Sequence, residues 1–151
     1  MPFRVCATKT EFCRIIGIDR QGDAVSDDQS TVTIHLPGER PPSWNKAYAG
    51  QHWTARKAEA DRIHQLVRAT IDPGDCAPFT VPVDIDIYVF FANRPLDADN
   101  IPAKLYVDAL KGWWLTDDDR RFVRSVRTVT DVDKRNPRVT IEVTPCGWKY
   151  E

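Results

Sequence analysis

Two aspartates one residue apart, Asp97 and Asp99, open the stretch DADNIPAKLYVDALKGWWLTDDD, and three in a row, Asp117, Asp118 and Asp119, close it. Between them runs an apolar, helix-like segment with one lysine, Lys104. So many carboxylates around a short segment suit a hard cation. Magnesium takes oxygen ligands, holds to one or two carboxylates, and keeps waters and substrate phosphates in its shell. Lys104, five residues after Asp99, is placed to neutralise charge developing on a phosphate. Each piece also has a plainer reading. A D-x-D can be a capped turn, the lysine can be solvated, and the two acidic groups can be separate patches at the two ends of a helix. A helix of about 12 residues is roughly 18 Å long. The clusters therefore meet only if the chain after Gly112 folds back along it, and carboxylates brought together repel one another without a cation.

The elements that must position these residues follow from periodicity. Residues 31–36, TVTIHL, alternate as a half-buried strand. The prolines at 37, 41 and 42 make residues 37–46, PGERPPSWNK, an extended loop. Trp44, Asn45, Lys46 and Tyr48 end it as either a loop pinned by a buried tryptophan or one that meets a nucleic-acid backbone or stacks on an unpaired base. Residues 53–71 are a helix with Ala60, Ile63, Val67 and Ile71 on one stripe. Its other faces carry Arg56, Lys57, Arg62, His64 and Arg68, a solvated or a phosphate-tracking surface. The turn DPGDCAP follows at residues 72–78. Residues 83–91, VDIDIYVFF, form the clearest strand, with Val83, Ile85, Ile87, Val89 and Phe91 on one face. Asp84 and Asp86 on the opposite face read as exposed or edge residues rather than ligands. A helix then starts around Pro102 in its first turn, capped by Asp99 or Asn100, and ends at Gly112. Residues 122–130 and 138–143 read as a β-hairpin, with Arg124 and Arg127 projecting. The order β-α-β-α-β-β predicts an α/β (α+β) fold: one compact domain of helices on a mixed sheet. It spans residues 31–145, after an N-terminal extension over 1–30 with one or two short strands around Phe3 to Ile18, and before a tail over 146–151.

At 151 residues and a net charge of -1, the chain has room for one core and no global pull towards polyanions. A nucleic-acid binder of this composition must segregate its charges, acids in the site and bases around it. No apolar run reaches the ~18 residues that span a bilayer. Cys6, Cys13, Cys76 and Cys146 lack C-x-x-C spacing, which predicts reduced thiols, a cytoplasmic protein and no structural zinc. Glycine-rich phosphate loops are absent, so no nucleotide cofactor is expected. The three histidines, His35, His52 and His64, give little support to a histidine-metal nuclease or a serine triad.

Taken in order, Asp97-Ala98-Asp99-Asn100, Lys104, Asp108-Ala109-Leu110-Lys111-Gly112, Asp117-Asp118-Asp119 and Val123 resemble the motifs of RusA-like Holliday-junction resolvases. The upstream Pro41 to Lys46 is similar to that family's proline-rich loop. The gap from Asp99 to Lys104 is one residue longer than the family pattern, with Pro102 inside it. The resemblance implies a homodimeric, magnesium-dependent endonuclease, with manganese as an alternative ion, that resolves four-way DNA junctions by paired nicks and is often phage-encoded. Asp97, Asp99 and one of Asp118 or Asp119 would hold the metal, and counting back from Val123 favours Asp119. Lys104 would be the active-site lysine. Lys46, Arg56, Lys57, Arg62, Arg124 and Arg127 are the candidate DNA contacts. Flap or other branched DNA, or binding without cleavage, are the alternative readings.

Overall fold

A computed structural model describes residues 30–72 and 77–146. The N-terminal extension, the tail and most of the turn at 72–78 lie outside the described residues. In chain order the elements are β1 (Val32–Pro37), α1 (Trp44–Tyr48), α2 (Trp53–Thr70), β2 (Val83–Phe91), a 3-10 turn (Ala98–Asn100), α3 (Ala103–Leu110), β3 (Val123–Val132) and β4 (Arg138–Pro145). Four strands form one mixed sheet in the order β1-β4-β2-β3. The α+β class and the strand-helix alternation expected from periodicity are what the chain adopts, with α1 added.

The helices cover one face of the sheet. The β2 residues Ile85, Ile87 and Val89 share a core with Ile34 and Leu36 of β1, Val139, Ile141 and Val143 of β4, Ile63 and Val67 of α2, and Tyr106 and Leu110 of α3. Most of these are completely buried. Each fully buried Val, Leu or Ile contributes about 1.5–3 kcal/mol over the exposed state. This burial, more than helix propensity, holds an eight-residue helix such as α3 in place.

β3 and β4 do not form the expected hairpin. β2 lies between them, parallel to β3 and antiparallel to β4. The reason lies in the faces of the strands. β2 and β4 bury most of their residues, whereas β3 exposes Arg124, Ser125, Val126, Asp131 and Val132 and takes the edge. The linker over residues 133–137 need only step across one intervening strand, about 10 Å, well within its reach of roughly 17 Å. It crosses the end of β2, where the Asp133 amide donates to the Phe91 carbonyl at 2.9 Å.

The central place of β2 also corrects the reading of its acidic face. Asp86 is buried, 5% exposed, and accepts a hydrogen bond from Arg127 Nε at 3.0 Å. Asp84 is half-buried, accepts from the Ser125 hydroxyl, and has Arg124 at 3.9 Å. Asp86 is thus an interior partner of Arg127, while Asp84 sits half-buried at the start of the strand against exposed β3 side chains.

Parallel neighbours require a long crossover, usually helical. Here that crossover, from the end of β2 through α3 to the start of β3, is the acid-rich stretch itself.

Candidate active site

Ile101 precedes Pro102 and is held extended, at φ -83° and ψ 128°, as the proline ring demands of its predecessor. The 3-10 turn and α3 are therefore separate pieces. Pro102 sits at the N-cap of α3 rather than inside its first turn, and no side chain caps the helix there. Neither Asp99 nor Asn100 caps α3. Instead, the side-chain oxygen of Asn100 accepts from the Asn45 amide at 2.9 Å and the Ser43 hydroxyl at 3.2 Å. Asn100 thus ties the aspartate turn to the proline-rich loop. Past Pro42 that loop becomes helical: Ser43 caps α1 by accepting from the Lys46 amide. The Thr128 hydroxyl of β3 donates to the Ala98 carbonyl at 2.9 Å and fixes the turn from the other side.

The chain after α3 does fold back. Gly112 has φ +77°, and its amide donates to the Leu115 carbonyl at 2.7 Å. The turn brings Asp118 alongside the helix. Its carboxylate accepts from Lys111 Nζ at 3.0 Å and from Lys104 Nζ at 3.1 Å. Lys104 also donates to Asp108 at 3.2 Å, and Lys111 lies 3.5 Å from Asp108 and 3.8 Å from Asp117. Three carboxylates thus stand together because two ammonium groups lie among them. Lys111 and Lys104 hold the Asp118 carboxyl well below the usual carboxylate range. Asp118 and then Asp108 push Lys104 up in turn, and Asp118 does the same for Lys111. Asp119 is engaged separately. Arg121 forms a 2.6 Å ion pair with it and lowers its carboxyl pKa.

Asp97 and Asp99 are exposed, and neither carboxylate is hydrogen-bonded within the described residues. They are not joined to the later aspartates. Among the described residues, no group of three or more His, Cys, Asp or Glu side chains is close enough to hold a metal ion. The crossover explains the separation: Asp97 follows the end of β2, and Asp119 precedes the start of β3, which lies beside the start of β2. Asp97 and Asp99 suit magnesium by chemistry, since they offer hard oxygens and have no internal partner to give up, whereas Asp118 and Asp119 would first have to leave their ion pairs.

The candidate bases are spread over several surfaces. Lys46 lines a cleft of about 350 Å³ together with Arg40, Gln51 and Leu96. An adjoining groove of about 310 Å³ is lined by Arg40, Arg94, Asp97 and Asn100. Arg40 and Arg94 thus share a groove with the aspartate turn, and sequence reasoning did not select them. Their signal was Arg94 two residues upstream of Leu96-Asp97 and Arg40 directly before Pro41-Pro42. Arg56 and Lys57 line a third cleft, of about 510 Å³, beyond α1. Lys57 is ion-paired with Asp61 at 2.7 Å. Arg62 is exposed, but its guanidinium is already engaged, donating twice to buried Glu39, at 2.8 and 2.9 Å, and also to Glu59. Arg127 lies on the sheet face opposite the helices, bonded to Asp86 and Tyr88. Arg124 is exposed at the start of β3, where the β2-β3 register shifts.

No protein-family model and no curated protein matches the chain. Among the described residues no helix is long and apolar enough to cross a membrane. Cys146 is a buried free thiol that donates to the Pro82 carbonyl; the other three cysteines fall outside the described residues.

Proposed function

We propose that this chain is a magnesium-dependent, structure-specific endodeoxyribonuclease of the RusA-like type, resolving four-way DNA junctions as a cytoplasmic homodimer. One observation carries the reading: motif pieces far apart in sequence are joined by side chains. Asn100 binds the proline-rich loop to the aspartate turn, and Lys104 binds α3 to the acidic loop. Asp97 and Asp99, with Asp118 or Asp119, are the residues that would hold the ion. Bound there, magnesium would lower the pKa of a water and offset charge on the phosphodiester.

The protein's own groups have distinct tasks. Lys104 stays an ammonium, because its partners raise its pKa. It therefore serves as a cationic donor to a phosphate oxygen, not as a base. A phosphate approaching Lys104 competes with Asp118 for it. Arg40 and Arg94 would hold the backbone beside Asp97, and Lys46 would continue that contact. A two-fold dimer would set two such sites across a junction of matching symmetry.

The test is cleavage of a panel of synthetic branched DNAs under magnesium titration. Paired nicks in a four-way junction are expected, and Asp99→Asn should abolish nicking while junction binding survives. Loss of binding together with cleavage in a folded Asp99→Asn protein would count against the assigned role. A second reading, junction binding without cleavage, is favoured by the separation of the two acidic groups. It predicts no nicking in either magnesium or manganese.

A further inference from the structure

Beyond the acidic stretch, the described surface has one concentration of exposed aromatic rings with bases among them. Tyr48 is 60% exposed and Trp53 is 61% exposed. They stand on either side of the short link between α1 and α2. Trp44 packs edge-on against Tyr48, with ring centroids 4.6 Å apart, and the Arg56 guanidinium lies 5.6 Å from the Tyr48 ring. His52 caps α2 by accepting from the Thr54 amide, and this sets its ring 5.8 Å from that of Trp53. The rings are thus oriented by the local backbone and yet left in water. Large exposed aromatics raise the free energy of the isolated protein and mark a contact surface.

We propose that this shelf binds an unpaired nucleobase of a single-stranded DNA segment, a reading that rests on the nuclease function proposed above. Two features select this occupant. First, the rings are interleaved with cations. Arg56 and Lys57 line the cleft with Trp44 and Tyr48, and Lys46 lines the cleft adjoining it, which suits a ring flanked by phosphates rather than an apolar protein segment. Second, the shelf is continuous with the groove at the aspartate turn. The cleft beneath Trp44 and Tyr48 shares Pro42, Ala47, Gln51 and Glu59 with the one that holds Lys46. That one shares Arg40 and Leu96 with the groove lined by Asp97. A strand whose phosphates follow Arg94, Arg40 and Lys46 arrives at Tyr48 and Trp53 around the side of α1. Branched DNA supplies such an unpaired base at its branch point, so the shelf would favour branched over fully paired substrates.

The probe is a fluorescein-labelled 12-residue oligothymidylate, followed by anisotropy with the full chain and compared with a blunt duplex of equal length. Trp53→Ala and Tyr48→Ala should each weaken oligothymidylate binding by tenfold or more, as removal of a stacking ring does, and leave duplex binding unchanged. Trp53→Phe should restore it. Lys46→Gln should lower the slope of log K against log salt by roughly 0.7, the value for one single-strand phosphate contact. Trp53→Ala should leave that slope unchanged. Equal affinity in wild type and both alanine variants would overturn the proposal, as would equal weakening on single strand and duplex. So would a dimer that Trp53→Ala turns into monomer with unaltered oligonucleotide affinity, because the shelf would then be an interface between copies. Ring-dependent single-strand binding without nicking of any branched DNA upholds the shelf and removes the nuclease reading. Nicking that the alanine variants leave unchanged, with wild-type oligonucleotide binding, does the reverse.

Discussion

Glu39 shows how a single buried charge is made tolerable. It is 7% exposed and accepts two hydrogen bonds from Arg62 and one from the Tyr106 hydroxyl at 3.1 Å. Burial beside this carboxylate pushes the Tyr106 phenol far up, so it stays a donor at every working pH. Glu39→Ala leaves the buried hydroxyl without its acceptor and removes half of the Arg62 pairing. It should cost roughly 1–3 kcal/mol, read as a shift in urea midpoint at constant m-value. Asp118 behaves differently, because its partners are solvent-exposed lysines. Its lowered carboxyl pKa adds stability that is present above the ordinary value of 3.8 and lost as the pH falls through the lower folded value. An exposed pairing of this kind contributes about 1 kcal/mol or less. Asp118→Asn should therefore fold normally while the Lys104 ammonium moves back towards 10.5, a change readable by NMR titration. His35 is half-buried, and desolvation followed by the charge of Arg138 lowers its pKa below 6.5. The folded protein favours the neutral ring. His35 therefore adds stability above pH 6.5 that is lost as the pH falls through its lower folded value. His35→Asn should flatten thermal stability across that window.

At the level of elements, proline and glycine set the boundaries that periodicity left vague. Pro102 holds Ile101 extended and so detaches the aspartate turn from α3. Gly112, at φ +77°, makes the reversal that returns Asp118 to Lys104. A Cβ at Gly112 would meet no atom within 4 Å, so any penalty there is conformational alone. Gly112→Ala should cost about 1–2 kcal/mol, and Gly112→Asn less, since asparagine visits the left-handed region more readily. Thermal unfolding of the two variants checks this order. The proline-rich loop was legible as irregular chain from its three prolines. The helix immediately after it was not, because Asn100, which accepts from the Asn45 amide and the Ser43 hydroxyl, acts across 55 residues or more of sequence.

Across the whole molecule, the strand order decides which elements are rigid. Among the described residues, β2 and β4 are paired on both sides, whereas β1 and β3 each have one edge without a strand partner. Amide hydrogen exchange should be slowest in β2 and β4, and faster along the free edges of β1 and β3. Faster exchange in β2 than in β3 would contradict this order. The same order places Arg127 on the face away from the helices and Arg40, Arg94 and Lys46 beside the aspartate turn. A net charge of -1 is thus compatible with arginines gathered beside Asp97, where Arg40 and Arg94 line one groove.

The sequence by itself determined the strands and the helices α2 and α3, because period-two and period-3.6 burial are local properties of the chain. VDIDIYVFF is a strand by its alternation alone, and the stripe of Ile63, Val67 and Ile71 makes α2 a helix. Only the tertiary structure decided partners. β3 and β4, consecutive and joined by a short link, looked like a hairpin, yet β2 buries more of its residues than β3 and takes the place between β3 and β4. The acids of the opening stretch were visible as residues. That Asp118 would spend its charge on Lys104 and Lys111 and that Asp119 would pair with Arg121 depended on how the crossover folds back, and that exposed Arg62 would pair with buried Glu39 depended on α2 lying beside the loop after β1. Charge pairing acts over a few ångströms in space, and spacing along the chain does not encode that distance.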